Sequence, residues 1–254
     1  VVVVPGGPGT SARTAVVWEV LAAAIAEAQA APGRDGAPLR VVDAGGGTGG
    51  FAVPLAEAGC TVTVVDPSPD SLAALARRAD ERGLGGRVVG VQGDLDDLPG
   101  LVDPASADLV LCHSVLQVVD DPAAALRAVA GVLRPGGRLS LLVGNRNAVV
   151  LARALAGRPD EAAHALVDPA GRWGDADGVP RRWTPDGIVE LVLAAGLQVE
   201  QLHGVRVVAD LIPAAALDLE PGAPAALLAL ERSLADRSPF RDIATSLHVL
   251  ALRR

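Results

Sequence analysis

The 254-residue chain has no lysine, no tyrosine and no methionine. All of its 22 basic residues other than histidine are arginine. Ala, Gly, Pro and Arg abound, the usage of a GC-rich coding sequence, so the missing lysine says little about mechanism. It does exclude one ligand site, the phosphate loop that ends in Gly-Lys-Ser/Thr. Aromatic residues make up only 2% of the chain, so the core must rest on Ala, Val and Leu. At 50% hydrophobic residues that suffices for one α/β domain with an elaboration, residues 1–254. The two cysteines, Cys60 and Cys112, lie beside apolar strand-like runs, and the four histidines do not cluster. A disulfide framework, a zinc site or any other metal centre is therefore not expected. The net charge of −8 excludes a chain-wide polyanion-binding surface. Only a local arginine patch in the nearly neutral second half stays open. No apolar run reaches membrane-spanning length. "VVVVPGG" is too short for a signal-peptide core and lacks a basic flank. The expected location is the cytoplasm.

What is present alternates regularly. Thr14–Ala31 reads as a helix within an N-terminal unit at 11–31, with Val17, Leu21, Ile25 and Ala28 on one face. "LRVVDAGG" predicts a first strand, and a helix follows from about Gly50 to Ala58. "TVTVVD" predicts the second strand. A helix then opens with Ser68 as cap, Pro69 at its first position and Gly83 past its end. "RVVGVQGD" and "ADLVLCHSV" predict strands three and four. Asp121 and Pro122 open the next helix, which stops at Pro-Gly-Gly before strand five, "RLSLLVGN". Such alternation gives a parallel sheet covered on both faces. The rhythm breaks over 146–183, where a short helix (about 147–156, extendable to 166) precedes a Gly/Asp/Pro/Arg-rich stretch. That is too long for an ordinary connection and predicts a lid or substrate loop. Helix "TPDGIVELVLAAG", strand "LQVEQLHGVRVV", helix "APAALLALERSLA" and strand "SLHVLALRR" complete the chain.

"VVDAGGGTGGFAVPLAEAGCTVTVVD" carries the chemistry. Its turn fits Gly45-x-Gly47-x-x-Gly50, a dinucleotide fingerprint. It also fits Asp43-x-Gly45-x-Gly47-x-Gly49, the turn of S-adenosylmethionine methyltransferases. Both need glycine because the backbone must turn tightly and approach a ligand without Cβ clashes. Asp66, ending strand two, can accept both ribose hydroxyls in either case. The acid at Asp43 separates the two, since it has a task facing the cationic methionine end and none in a dinucleotide site. Gly93-Asp94 ends strand three, where an acid can meet the adenine amino group. No separate dehydrogenase domain follows, so S-adenosylmethionine is the expected cofactor. Cys112 and His113, adjacent in one strand, point to opposite faces and form no catalytic dyad. No convincing general base is visible.

From Gly9 to Arg254 the chain resembles the bacterial tRNA 5-carboxymethoxyuridine methyltransferase family. The carrying stretches are "GTSARTAVVW", "LRVVDAGGGTG", "DLVLCHSVLQVVDDP", "LRPGGRLSLLVGNRNAVVLARALAG", "GVRVVADLI" and "SPFRDIATSLHVLALR". The resemblance implies a Rossmann-like class I methyltransferase fold. Its seven-stranded, mostly parallel sheet would carry helices on both faces and a lid insertion after strand five. It implies cofactor contacts at Arg13, Gly45, Gly46, Asp66, Gly93, Asp94 and His113, with Arg13 pairing the methionine carboxylate. It implies tRNA as substrate, the carboxylate of an anticodon-loop nucleoside becoming a methyl ester. Arg146 in "GNRN" and Arg206 in "GVRVV" are the candidate cations for that carboxylate. A small-molecule acceptor, or a non-catalytic cofactor-binding homologue, are the alternatives.

Overall fold

The computed structural model describes residues 14–31, 36–213 and 222–254. The N-terminal helix α1 spans Ala15–Ala30, followed by β1 (Arg40–Ala44), α2 (Ala52–Glu57), β2 (Thr61–Asp66) and α3 (Pro69–Glu81). Next come β3 (Val88–Gln92), α4 (Leu98–Leu101), β4 (Ala107–His113), α5 (Pro122–Val132) and β5 (Leu133–Gly144). The remainder is α6 (Arg146–Leu155), α7 (Pro159–Val167), α8 (Pro185–Ala194), β6 (Leu197–Val205), α9 (Ala223–Leu234) and β7 (Ser246–Arg253). The expectations for Arg13 and for residues 11–13 of the N-terminal unit lie outside the described residues.

Helix starts follow local chemistry. Ser68 Oγ accepts from the Ser71 amide at 3.2 Å, and Asp121 Oδ1 accepts from the Ala123 and Ala124 amides, each at 2.9 Å. Thr184 Oγ1 accepts from the Gly187 amide at 3.1 Å. Each cap is followed by a proline, whose missing N–H costs nothing at the first helical position.

The sheet is seven-stranded, in the order β3-β2-β1-β4-β5-β7-β6. β1 pairs in parallel with β2 and β4, and only β7 runs against its neighbours, β5 and β6. Alternation along each strand divides the core. Val42, Ala44, Val110, Cys112 and Leu141 pack with α5 and α8, while Val41, Val62, Val64 and Leu111 pack with α1 and α2. The order reverses at β1 and β4, and ligands of such sheets bind at that crevice, outside the carboxyl ends of the strands.

Two readings of the sequence need correction. The single short helix expected after strand five is two helices, α6 and α7. Gly157, at φ +73°, ends the first, and Pro159 opens the second. The strand expected to run to Val208 stops at Val205, because Arg206 turns to φ +60°.

Candidate cofactor and acceptor site

The turn after β1 is built by close approach as much as by backbone freedom. Gly45, Gly47 and Gly49 have φ of +75°, +55° and +82°, the left-handed region that glycine enters without penalty. A Cβ on Gly45 would overlap the Val115 side chain, and one on Gly46 would stand 2.5 Å from the Asp43 carboxylate. The Gly47 amide donates to Asp66 Oδ2 at 2.9 Å, and the Ser68 amide donates to Asp66 Oδ1 at 2.9 Å. An ionised carboxylate has about four acceptor positions. Asp66 therefore keeps capacity for two more donors, the number a ribose diol presents.

Asp43 is different. It is buried at 3% exposure, and its Oδ2 has no hydrogen-bond partner. Burial first, and then the charge of Asp66, push its carboxyl up to about 7. A buried orphan oxygen of this kind is costly unless a ligand supplies the missing partner. A cationic group against Asp43 would lower the carboxyl again and remove that cost. The residues present thus fit S-adenosylmethionine, whose cationic methionine end and ribose diol match Asp43 and Asp66.

Asp94 and Asp96 line a cleft of about 290 Å³ together with Gly45, Val65, Pro67 and Val115. Asp94 Oδ1 already accepts from the Asp96 amide at 3.0 Å. Gly93, at the exit of β3, donates its amide to the Asp66 carbonyl at 3.3 Å. Gly45 and Asp94 thus line the cleft, and Gly47 and Gly93 are joined beside it by their hydrogen bonds to Asp66. Asp43 sits beneath the turn.

His113 ends β4 on the opposite face from Cys112, edge-on to Phe51 at 4.6 Å between centroids. Phe51 in turn stacks on Trp18. The Ser140 hydroxyl lies 2.8 Å from both His113 Nε2 and His248 Nε2. With a single proton, that hydroxyl donates to one ring and accepts from the other. Burial lowers His113 to about 3 and lowers His248 as well. Both rings are neutral at physiological pH and are poor bases. Burial, with Asp43 adding to it, raises the Cys112 thiol to about 12, so it is an inert core residue. Among the described residues no group of His, Cys, Asp and Glu could hold a metal.

A second cavity, of about 300 Å³, opens past β5 and β6 between α6 and the segment 207–211, with Asn145, Val149, Val207 and Thr245 in its wall. The arginine in its wall is Arg182, and neither of the two arginines expected to meet an acceptor lines it. Arg146 Nη2 donates to the Pro169 carbonyl at 2.7 Å and so ties down the loop after α7. Arg206 Nη2 donates to Ser246 Oγ at 3.1 Å, and its Nη1 lies 3.2 Å from Asp210 Oδ2. The loop after α7 is braced by Arg182, which holds Asp177 through two contacts of 2.7 and 3.0 Å.

Three functional-looking groups escape a reading of the sequence. Glu231 is wholly buried and accepts from the amides of Val207, Val208 and Ala209 at 2.8, 2.8 and 2.7 Å. Its signal is an acid four residues after Leu227, on the buried stripe of α9. Ser140 and His248 lie inside apolar strands, where a lone polar residue reads as incidental.

Fold and turn together define a class I S-adenosylmethionine-dependent methyltransferase. A family model described as a methyltransferase domain matches residues 42–141. The tRNA 5-carboxymethoxyuridine methyltransferase of Escherichia coli (strain K12) is 30% identical over 239 residues, 94% of this chain and 87% of that protein. The chain belongs to the family of these bacterial methyltransferases. Among solved structures, an S-adenosylmethionine-dependent methyltransferase from Mesorhizobium loti has a TM-score of 0.61 at 23% identity, covering 96% of this chain and all of that one. Magnesium protoporphyrin IX methyltransferase from Synechocystis PCC 6803, with bound S-adenosylhomocysteine, has a TM-score of 0.60 at 17% identity, covering 96% and 84%. Both share the fold. No helix among the described residues is long and apolar enough to cross a membrane.

Proposed function

We propose that the protein methylates the carboxylate of 5-carboxymethoxyuridine in a tRNA anticodon loop, giving the methyl ester, in the cytoplasm. The observation that carries this reading is the near full-length identity with the Escherichia coli enzyme, which spans the cofactor half and the acceptor half alike. S-adenosylmethionine, when bound, supplies a methyl group carried on a sulfonium. The work left to the chain is to bind, orient and exclude water, and proximity with alignment can supply most of the acceleration. We assign the ribose diol to Asp66, the cationic methionine end to Asp43, and the adenine side to Gly93 and Asp94. The family resemblance adds the methionine carboxylate to Arg13 and a cofactor contact to His113.

A carboxylate acceptor is ionised at neutral pH and needs no base. That agrees with His113, which burial keeps neutral and weakly basic. The acceptor needs a cation to orient it. We take Arg206 first, since its partner Asp210 stands in the wall of the second cavity, while Arg146 gives one nitrogen to the Pro169 carbonyl. The segment 146–183 serves as a lid on the acceptor side, since α6 forms one wall of the second cavity.

The apolar part of that wall, Val149, Ala152, Val207 and Leu211, favours a second reading, a small apolar acceptor. Incubation with labelled cofactor and total tRNA, followed by nucleoside analysis of the digest, separates the two. Label in the methyl ester of 5-carboxymethoxyuridine supports the tRNA reading. No ester on tRNA carrying the free acid, at low salt and saturating cofactor, makes the small-molecule reading the better one. Binding to tRNA should be modest, because the chain is acidic overall and few phosphate contacts are available, and it should weaken as salt is added.

A further inference from the structure

We propose that Asp210 is an internal competitor for Arg206, a carboxylate that an acidic acceptor displaces and that recaptures the arginine once the acceptor's charge is gone. The proposal rests on the reading of Arg206 as the acceptor's cation.

The backbone around Arg206 is fixed. Its φ of +60° is a conformation that a side chain bearing a Cβ seldom adopts. Glu231 takes the next three amides, and the Thr245 amide donates to the Arg206 carbonyl at 3.1 Å. What can move is the side chain. Arg206 and Asp210 are each about a quarter exposed, 28% and 26%. They meet through one nitrogen at 3.2 Å. The molecule holds a contrasting pair close by in sequence. Arg182 grips Asp177 with two nitrogens, at 11% and 1% exposure. Burial opposes the Asp177 charge, but the Arg182 fork and the Val179 and Trp173 amides outweigh it and hold the carboxyl at about 2. One pair is built to stay, and the other has the geometry of a pair that exchanges. A guanidinium can offer an incoming carboxylate two parallel N–H bonds.

Asp210 also stands in the wall of the second cavity, beside Val207, Asn145 and Thr245. Asp210 is in that wall and Arg206 is not, so an acceptor carboxylate in the cavity would reach Arg206 at the expense of Asp210. A neutral acceptor has nothing to offer Arg206 in exchange and leaves the pair closed. On transfer a carboxylate oxygen forms the new O–CH3 bond, the S–CH3 bond breaks, and its electron pair stays on sulfur. The acceptor leaves the reaction as an uncharged ester. Asp210 is then the only carboxylate of the two still charged, and the pair re-forms as product departs. Asp210 thus weakens the hold on the acid to a modest degree and retakes Arg206 once the ester has formed.

The test uses the full chain with bound S-adenosylhomocysteine and two anticodon stem-loop RNAs, one carrying the free acid and one the methyl ester. Dissociation constants are measured for the wild type, Asp210→Asn, Asp210→Ala and Arg206→Ala. Asp210→Asn and Asp210→Ala should both bind the acid RNA roughly two- to fivefold more tightly than wild type, the scale of a partly exposed ion pair. Arg206→Ala should lose the preference for acid over ester. If Arg206→Ala loses that preference but neither Asp210 variant tightens acid binding, Asp210 is no competitor, and the acceptor reading of Arg206 stands alone. If Arg206→Ala keeps the preference, the acceptor reading at this arginine fails and the proposal fails with it.

Discussion

Among the turns that leave the carboxyl edge of the sheet, those after β1 and after β6 treat their polar groups in opposite ways. The β1 turn is made of glycines and keeps polar capacity unspent. Asp43 Oδ2 is buried without a partner, and Asp66 has acceptor positions left over. The β6 turn has no glycine at its left-handed position, which Arg206 takes instead. Its three following amides are all filled by one internal carboxylate, Glu231. A turn that receives an exchangeable ligand must bear the cost of unpaired groups while it is empty. A turn that only holds an arginine in place can satisfy its groups permanently. The difference teaches where to look for a ligand: at the unpaired acid, not at the nest of amides.

The largest effect should come from opening the sealed turn. Glu231→Ala strands three amides that lose a charged acceptor, and should destabilise the protein by about 3–5 kcal/mol in urea unfolding. Glu231→Gln keeps an acceptor and should cost visibly less. Equal losses in the two variants would mean that Glu231 acts by filling space, and the contrast between the turns would lose its basis.

Next comes the open turn. Asp66→Ala strands the Gly47 and Ser68 amides, so it should destabilise the protein by less than Glu231→Ala, and it should weaken S-adenosylhomocysteine binding by roughly 1.5–3 kcal/mol, the scale of hydrogen bonds to a charged group. Calorimetry reads wild type and variant on the same ligand. Unchanged affinity would remove Asp66 from the cofactor site.

A smaller effect tests Asp43 through pH. Burial and the charge of Asp66 raise its carboxyl from an ordinary 3.8 to about 7 in the ligand-free fold. Between about pH 4 and pH 7 the folded protein therefore holds a proton that the unfolded chain has lost. Stability of the ligand-free protein should fall as pH rises through that window. Affinity for S-adenosylmethionine should rise over the upper part of it, as Asp43 becomes the anion that faces a cation. Asp43→Asn should flatten both slopes. A stability slope of the same size in Asp43→Asn would place the titrating group elsewhere.

The same contrast explains what the sequence made legible. The β1 turn announces itself, because glycines at fixed spacing and acids at both strand ends are local signals. Caps followed by proline, as at Ser68, Asp121 and Thr184, were equally local and set three helix starts. The β6 turn hid its device. Glu231 lies 22 to 24 residues from the amides it serves, and its partners are known only once α9 docks. The contact of His113, Ser140 and His248 likewise depends on β4, β5 and β7 being neighbours, which no single strand reveals. The break between α6 and α7 did have a local signal, Gly157 followed by Pro159. It was masked by alanine-rich periodicity continuing on both sides.

The most direct measurement is residue-resolved amide hydrogen exchange of the free protein and of the protein saturated with S-adenosylhomocysteine. The amides of Val207, Val208 and Ala209 should exchange slowly in both states, since Glu231 holds them regardless of ligand. The amides of Gly46 and Thr48 should be less protected in the free protein and gain protection with ligand bound, while those of Gly45, Gly47 and Gly49 are already bonded to Val65, Asp66 and Gly46. Fast exchange at Val207 to Ala209 in the free protein, or a glycine turn whose protection is the same with and without ligand, would contradict the account.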